Sequence, residues 1–286
     1  MTRIIERLDE VAGGYRAVLC DLWGCYHDGI APFPAAVAAL RRYRAAGGIV
    51  VLLTNAPRPA AHVRRFLDAM AAPTDTHDAI MSSGEACLGA LAEGRHGRRI
   101  LYVGPDRDRH MLADAGLAPA SLDEAQAILC TGLENEAEET PDDYAGRIAD
   151  WRARGLPMLC ANPDIVVDKG EVRLWCAGAI ARAYAQAGGE VVYFGKPHRP
   201  IYEMSFGLLK RLAGAQVAPE EVLAIGDGIS TDIRGARDYG LDALFVSGGL
   251  AARELGGDPE RPDPARLEAW LAAEGERPDY AIGRLR

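Results

Sequence analysis

Residues 222–236 read VLAIGDGISTDIRGA, and the fold class can be inferred from the pattern of this segment. It opens with a short apolar run, reaches a Gly-Asp pair at Asp227 and carries a second carboxylate, Asp232, five positions further on. The apolar run is continuous rather than alternating, which is typical of a strand buried on both faces of a parallel sheet. Residues 231–239 then have the pattern of a helix that ends at Gly240. A strand that leads through an acidic turn into a helix predicts an α/β fold.

Similar apolar runs recur along the chain, separated by helical patterns. We predict strands at 16–20, 48–53, 98–103, 125–130, 157–161, 190–194, 221–225 and 242–246, and a last edge strand at 278–282. We predict helices at 33–46, 59–70, 178–187, 200–213 and 231–239. This alternation favours mainly parallel sheets with helices on both faces. We expect two sheets: residues 1–83 plus 187–286 form a core domain, and residues 84–186 form an inserted α/β domain.

Polar side chains follow four of these strands at the point where each strand ends. They are Asp21, Thr54, Asn55, Lys196, Asp227 and Asp232. Ligands bind beyond the carboxyl ends of parallel strands, so we expect these side chains to meet at one edge of a sheet. Three carboxylates this close raise one another's pKa unless a cation neutralises them, and oxygen ligands favour Mg²⁺. A single Asp after a strand is more often a turn or cap residue, so this prediction depends on the whole set.

The composition argues against several classes of protein. The 286 residues carry a net charge of −9, and no basic stripe indicates a nucleic-acid partner. The six cysteines form no CxxC pair, which is typical of a reduced compartment. No signal-peptide pattern and no apolar run long enough to span a membrane are present, so we expect no membrane partner and a cytoplasmic location. A nucleotide-binding oxidoreductase is disfavoured, because no GxGxxG follows the first strand.

The four strand ends resemble, in order, the four motifs of the haloacid dehalogenase (HAD) superfamily. The motifs are AVLCDLWGC at 17–25, VVLLTNAP at 50–57, YFGKP at 193–197 and VLAIGDGISTDIRGA at 222–236. The long insert between the second and third motifs looks like the C2-type cap of subfamily IIA, the NagD-like hydrolases. MSSGEA at 81–86 and CANPD at 160–164 also look like segments of that subfamily. The resemblance implies a Rossmann-like parallel-sheet core with an inserted α/β cap domain.

The resemblance also implies an activity: Mg²⁺-dependent phosphatase-type hydrolysis of a small phosphorylated metabolite. Asp21 would attack phosphorus and form an aspartyl-phosphate. Thr54 and the backbone N–H of Asn55 would bind a phosphate oxygen, and Lys196 would stabilise charge on Asp21 and on the phosphoryl group.

The metal site is implied by the same resemblance. Mg²⁺ would be held by the carboxylates of Asp21 and Asp227 and by the backbone carbonyl of Trp23. Asp232 would be a further ligand or a supporting partner.

The inserted domain would choose the substrate by covering the sheet edge. Asn162 and Asp164 are candidate substrate-binding residues, although a structural turn explains the pair equally well. Trp175 and Arg173 are candidates for the wall of the pocket. Caps of this type often accompany homodimers, so a homodimer is one expectation, but nothing in the sequence fixes the oligomeric state.

Position 23 departs from the family pattern. The superfamily's phosphatases read Asp-x-Asp-Gly, whereas this chain reads Asp21-Leu-Trp23-Gly. The second aspartate normally protonates the leaving oxygen and then activates water, and an indole does neither. Three consequences stay open: a substrate with a good leaving group, a substitute group such as His27 or Asp28, or slow release of phosphate.

Other functions compete with the phosphatase. The alternative is a catalytically weak or inactive HAD-like protein that binds a phosphorylated ligand. A dehalogenase is disfavoured because it needs no metal, and a phosphonate-cleaving enzyme is disfavoured because Lys169, the lysine of the insert, lies in a predicted turn. Cys25 is expected to be an inert small residue rather than a nucleophile.

Overall fold

Strands and helices alternate along the chain in the computed structural model, which describes residues 2–286. The strands are β1 (Arg3–Ile4), β2 (Ala17–Cys20), β3 (Ile49–Thr54), β4 (Ala79–Ser82), β5 (Ile100–Val103), β6 (Ala127–Cys130), β7 (Met158–Cys160), β8 (Val166–Lys169), β9 (Val172–Trp175), β10 (Val191–Tyr193), β11 (Val222–Gly226), β12 (Asp242–Val246) and β13 (Tyr280–Ile282). The helices are α1 (Asp9–Ala12), α2 (Pro34–Ala45), α3 (Ala60–Ala69), α4 (Ser83–Glu93), α5 (His110–Asp114), α6 (Ala145–Ala153), α7 (Ala177–Gln186), α8 (Arg199–Ala213), α9 (Arg234–Tyr239), α10 (Ala252–Leu255) and α11 (Pro264–Glu274). The predicted strands and helices are confirmed, with boundaries that differ by about two residues. The exception is the last predicted helix, whose first turn is a π-helical segment, Ile229–Ile233.

The first sheet has seven strands in the order β1-β13-β12-β11-β2-β3-β4, all parallel. The central strands are apolar and buried, because helices cover both faces of the sheet. In the register, Ile225 pairs with Cys20 and Cys20 pairs with Leu52. The residues that follow these three strands therefore emerge side by side, as predicted for one carboxyl edge.

The second sheet consists of four parallel strands in the order β10-β7-β6-β5. The prediction that residues 187–286 belong to the first sheet is wrong for β10, because Val191–Tyr193 pair with Met158–Cys160. A short continuous apolar run has no feature that assigns it to one sheet or the other. The inserted unit therefore extends from α4 through β10, and the segment with Lys196 is the return from the second sheet to the first.

An antiparallel hairpin, β8–β9, projects from the inserted unit and was not predicted. At its tip, the backbone N–H of Gly170 donates to the carbonyl of Asp28 at 3.1 Å, so the hairpin lies against the loop after β2. The short strands β1 and β4 were also missed. As a result β13, predicted as an edge strand, lies between β12 and β1.

Apolar clusters lie on both faces of each sheet. The second sheet has its own buried residues, including Trp151 and Tyr184 on one face and Met111 and Leu129 on the other. The inserted unit therefore has a core of its own, which is the physical condition for a separate domain. In residues 2–286, no helix combines the length and apolarity that crossing a bilayer requires.

Candidate active site

A buried ammonium group joins two of the predicted carboxylates. Nζ of Lys196 donates to Oδ1 of Asp21 and to Oδ1 of Asp232, each at 2.6 Å, and to the carbonyl of Leu53 at 3.1 Å. The three charged side chains are each less than a tenth exposed. All three donor positions of the ammonium are thus occupied, which fixes its place at the end of the central strands.

Asp227 lies beside this cluster, and the space for its carboxyl group exists because positions 24 and 249 are glycines without side chains. A Cβ on Gly24 would lie 1.9 Å from Oδ2 of Asp227, and one on Gly249 would lie 2.2 Å from it. The backbone N–H of Leu250 donates to the same oxygen at 2.7 Å. Burial raises the pKa of Asp227 well above its ordinary value, and the charges of Asp21 and Asp232 raise it further.

The donor set fits a divalent cation that prefers oxygen. Asp21, Cys25 and Asp227 each offer a ligand atom within 4.8 Å of the other two. Burial raises the pKa of the Cys25 thiol well above its ordinary value, so the thiol stays protonated and the carboxylates are the usable donors. Three buried carboxylates face one ammonium, and this excess of negative charge favours Mg²⁺.

Of the predicted metal ligands, Asp21, Trp23 and Asp227 have atoms free to bind a cation, whereas Asp232 does not. Asp21 and Asp227 lie together, and among residues 2–286 no donor hydrogen-bonds the backbone carbonyl of Trp23. Both oxygens of Asp232 are engaged: Oδ1 accepts from Lys196, and Oδ2 accepts from the backbone N–H of Gly228 at 3.1 Å. Its geometry therefore favours the supporting role over that of a direct ligand.

Thr54 is the last residue of β3 and Asn55 follows it at the same edge of the sheet, and both are buried. Oγ1 of Thr54 accepts the backbone N–H of Ala56 at 3.2 Å, which leaves the hydroxyl proton free to donate. The Asn55 side chain has a role that the sequence did not suggest. Its Oδ1 accepts the backbone N–H of Lys196 at 2.7 Å, and its Nδ2 donates to the Lys196 carbonyl at 3.0 Å and to Oδ1 of Asp164 at 2.8 Å.

Asn162 and Asp164 come to this edge from the inserted unit. Oδ1 of Asn162 accepts the backbone N–H of Asp164 at 3.0 Å, which is the turn anticipated as the alternative to substrate binding. Burial raises the pKa of Asp164 to about 6, although Lys196 and the Asn55 hydrogen bond oppose this change. Asp164 is partly exposed, and its carboxyl group lies beside Asn55 in the lining of the same cavity as Asp21 and Lys196.

Two cavities meet at this edge, of about 310 Å³ and 290 Å³. The first contains Asp21, Lys196 and Asp227, and the second lies between the inserted unit and the loops after β2 and β3. Trp23, Asp164 and Val167 line both. Trp175 lines the second cavity as predicted, whereas Arg173 is paired with Asp168 at 2.8 Å and lines neither. The second cavity also has Phe66, which stacks on Trp23 with ring centroids 6.0 Å apart.

His27 fixes the loop after β2. It is fully buried, and its Nδ1 accepts the backbone N–H of Gly29 at 2.9 Å. Its ring meets Trp23 edge to face, with centroids 4.9 Å apart. Burial lowers the pKa of His27 to about 4, so the imidazole is neutral near pH 7. Asp28 is a turn residue, because its Oδ1 accepts the backbone N–H groups of Ile30 and Ala31, each at 2.8 Å.

Comparison with known proteins shows the family of this chain. The family model described as haloacid dehalogenase-like hydrolase matches residues 18–118, and a related HAD-hydrolase-like model matches residues 193–280. A crystal structure of a haloacid dehalogenase-like hydrolase from Brucella suis 1330 is 38% identical, has a TM-score of 0.88, and the alignment covers 99% of this chain and 100% of that one. The 5'-nucleotidase YutF of Bacillus subtilis strain 168 is 24% identical over 90% of this chain and 98% of its own length. The ribonucleotide monophosphatase NagD of Escherichia coli K12 is 25% identical over 86% of this chain and 93% of its own length.

The chain belongs to the haloacid dehalogenase-like family of hydrolases. Within that family it is a NagD-like hydrolase of subfamily IIA. The family and the fold class that the four motifs predicted are thereby confirmed.

Proposed function

We propose that the chain is a Mg²⁺-dependent phosphatase that hydrolyses a small phosphorylated metabolite through an aspartyl-phosphate at Asp21. The observation that carries this proposal is the buried contact of Lys196 with Asp21 and Asp232, next to Asp227. An ion pair that served stability alone would not open onto a cavity together with a third carboxylate. The two curated relatives are named as enzymes that act on nucleotides, which supports a phosphate monoester as the substrate class.

Each residue has a role that its contacts support. Asp21 attacks phosphorus, and the Lys196 ammonium stabilises charge on Asp21 and on the transferring phosphoryl group. The free hydroxyl proton of Thr54 donates to a phosphate oxygen. Asp232 holds Lys196 in place.

The carboxylates of Asp21 and Asp227 and the Trp23 carbonyl would hold Mg²⁺. When bound, the metal supplies charge neutralisation at the phosphoryl oxygens and the carboxylates. The glycines at positions 24 and 249 allow Asp227 to lie close enough to take part.

The test is phosphate release from aryl, acyl and alkyl phosphates with and without Mg²⁺, with Asp21→Asn as the control. We expect Mg²⁺-dependent turnover in the native protein and none above background in Asp21→Asn. This substitution keeps the shape and the acceptor for Lys196 but removes the nucleophilic carboxylate. Turnover that survives in Asp21→Asn would overturn the assigned nucleophile.

A second candidate function is a weak or inactive relative that binds a phosphorylated ligand, and the observation that favours it is Trp23. No turnover on any class of phosphate, together with retained Mg²⁺ binding, would favour this candidate. A dehalogenase stays disfavoured, because dehalogenation needs no metal and Asp227 lies beside Asp21.

A further inference from the structure

We infer that Asp164, from the inserted unit, is the general acid and base of this active site. The inference rests on the proposed phosphatase function and names the group that completes it. Trp23 stands where the family's phosphatases carry the second aspartate, and an indole N–H neither protonates a leaving oxygen nor activates water. Esters of ordinary alcohols need a proton on the leaving oxygen, so another group has to supply it.

Asp164 lies where the leaving group would pass. It lines both cavities, as Trp23 does. A phosphoryl group on Asp21 would occupy the first cavity, and the organic part of the substrate would occupy the second. The bond that breaks would then lie at the junction of the two cavities, which both Asp164 and Trp23 line.

The carboxyl group of Asp164 is held in place yet open to the substrate. Oδ1 accepts one hydrogen bond from Asn55, at 2.8 Å, whereas no donor in residues 2–286 hydrogen-bonds Oδ2. A carboxyl whose pKa burial has raised to about 6 exchanges a proton near neutral pH. Charged and titratable groups face it from both units: Lys196, Asp21, Asp232, Cys160 and Cys176.

The other candidates near the cavities are less suited. Nδ1 of His27 is occupied by the Gly29 N–H, and its pKa of about 4 keeps the ring neutral. Burial raises the pKa of Asp28, but the hydrogen bonds from the Ala31 and Ile30 N–H groups lower it more, so Asp28 stays ionised. The carboxylate of Asp168 is paired with Arg173.

Asp164 takes part in both steps of the reaction, first as the acid and then as the base. In the first step Asp21 forms a bond to phosphorus, the bond from phosphorus to the leaving oxygen breaks, and the Asp164 proton moves to that oxygen to give the free alcohol. In the second step water loses a proton to the Asp164 carboxylate and attacks phosphorus. The bond from phosphorus to Asp21 breaks, which regenerates the Asp21 carboxylate and releases inorganic phosphate.

The decisive experiment compares 4-nitrophenyl phosphate with an alkyl phosphate such as glycerol phosphate, in the native protein and in Asp164→Asn. The substitution keeps an acceptor oxygen for Asn55. We expect kcat for the alkyl ester to fall about 10²–10⁴-fold. With the aryl ester we expect a burst of nitrophenolate close to one per active site, followed by slow turnover, because nitrophenolate leaves without a proton whereas the second step lacks its base. In the native protein, kcat for the alkyl ester should decline above about pH 6, where Asp164 loses its proton, and this decline should be absent in the variant.

Matched controls are His27→Gln and Asp28→Asn, which should keep the native ratio of alkyl to aryl turnover and should show no burst. Circular dichroism and thermal melting check that Asp164→Asn folds, and Asp164→Glu, which keeps the acid, should recover part of the alkyl activity. Alkyl turnover within threefold of native in Asp164→Asn would overturn the inference. An equal loss of activity on both esters, with a raised KM and no burst, would also overturn the inference. That pattern would indicate that Asp164 binds the substrate but transfers no proton. A native protein that hydrolyses neither ester would instead overturn the proposed function, and this inference with it.

Discussion

Nδ2 of Asn55 donates to Oδ1 of Asp164 at 2.8 Å, and this hydrogen bond ties the end of β3 to the inserted unit. The same amide side chain accepts from and donates to the backbone of Lys196. One buried side chain therefore sets the positions of the ammonium that contacts Asp21 and of the carboxyl that we assign to proton transfer. The Asn55 side chain is thus one of the places where the two units of the protein meet.

Replacing Asn55 with Ala should loosen this junction. The variant leaves the backbone N–H and carbonyl of Lys196 without partners in a buried site, and an unpaired buried polar group costs about 1–3 kcal/mol. We expect a lower melting temperature and a lower kcat on both ester classes. The matched control is Asn135→Ala, in a surface loop of the inserted unit, which should leave kcat unchanged. Native stability and kcat in Asn55→Ala would show that the junction does not depend on this side chain.

The central strands of the first sheet were predictable, and so was the meeting of the side chains that follow them, because residues that follow parallel strands lie at the same edge of a sheet. Asp21, Thr54 and Asp227 come to that edge through the register of three adjacent strands. The two-residue strand β1 and the four-residue strand β4 were not predicted. The sheet to which β10 belongs was not predictable. An apolar run indicates that a strand is buried, but it does not indicate which strand it pairs with. The bond between Asn55 and Asp164 joins residues 109 positions apart, and no local spacing signals it.

Placing the family's usual residue back at position 23 should compensate for the loss of Asp164. In the double variant Trp23→Asp with Asp164→Asn, we expect alkyl turnover to rise at least tenfold over Asp164→Asn alone. The new carboxyl would then carry out the proton transfers. The melting temperature should fall, because the stacking of Trp23 on Phe66 and its contact with His27 are lost.

The control for this rescue is Trp23→Asn with Asp164→Asn, which makes the same space but carries no acid. Equal alkyl turnover in the two double variants would show that room in the cavity, rather than proton transfer, limits the reaction.

Removing one carboxylate of the metal site should weaken Mg²⁺ binding while the fold remains. Asp227→Asn keeps an acceptor for the Leu250 N–H and removes one charged ligand, so we expect Mg²⁺ affinity to fall by roughly tenfold or more. Calorimetric titration with Mg²⁺ measures the change. The rise in melting temperature that saturating Mg²⁺ gives the native protein should also shrink. Asp168→Asn, at the rim of the same cavity, is the matched control, and an equal loss there would mean that the metal does not bind at Asp227.

The pH dependence of stability should include a contribution from His77, which is buried just before β4. Burial lowers the pKa of His77 to about 4, and the nearby Arg64 guanidinium, which contacts Nε2, lowers it further. Between the ordinary pKa of 6.5 and about 4, the unfolded chain binds a proton that the folded protein does not. The contribution of His77 to the free energy of unfolding is therefore complete above pH 6.5 and is lost as the pH falls toward 4, by up to about 3 kcal/mol.

Urea unfolding at several pH values between 7.5 and 4.5 measures this contribution. His77→Gln cannot take up the proton, so its free energy of unfolding should decline less steeply below pH 6.5 than that of the native protein. The decline should be unchanged in His96→Gln, where the histidine is partly exposed in a loop after α4. The same slope in His77→Gln and in the native protein would mean that His77 takes up its proton without unfolding, through a local opening of the contact with Arg64.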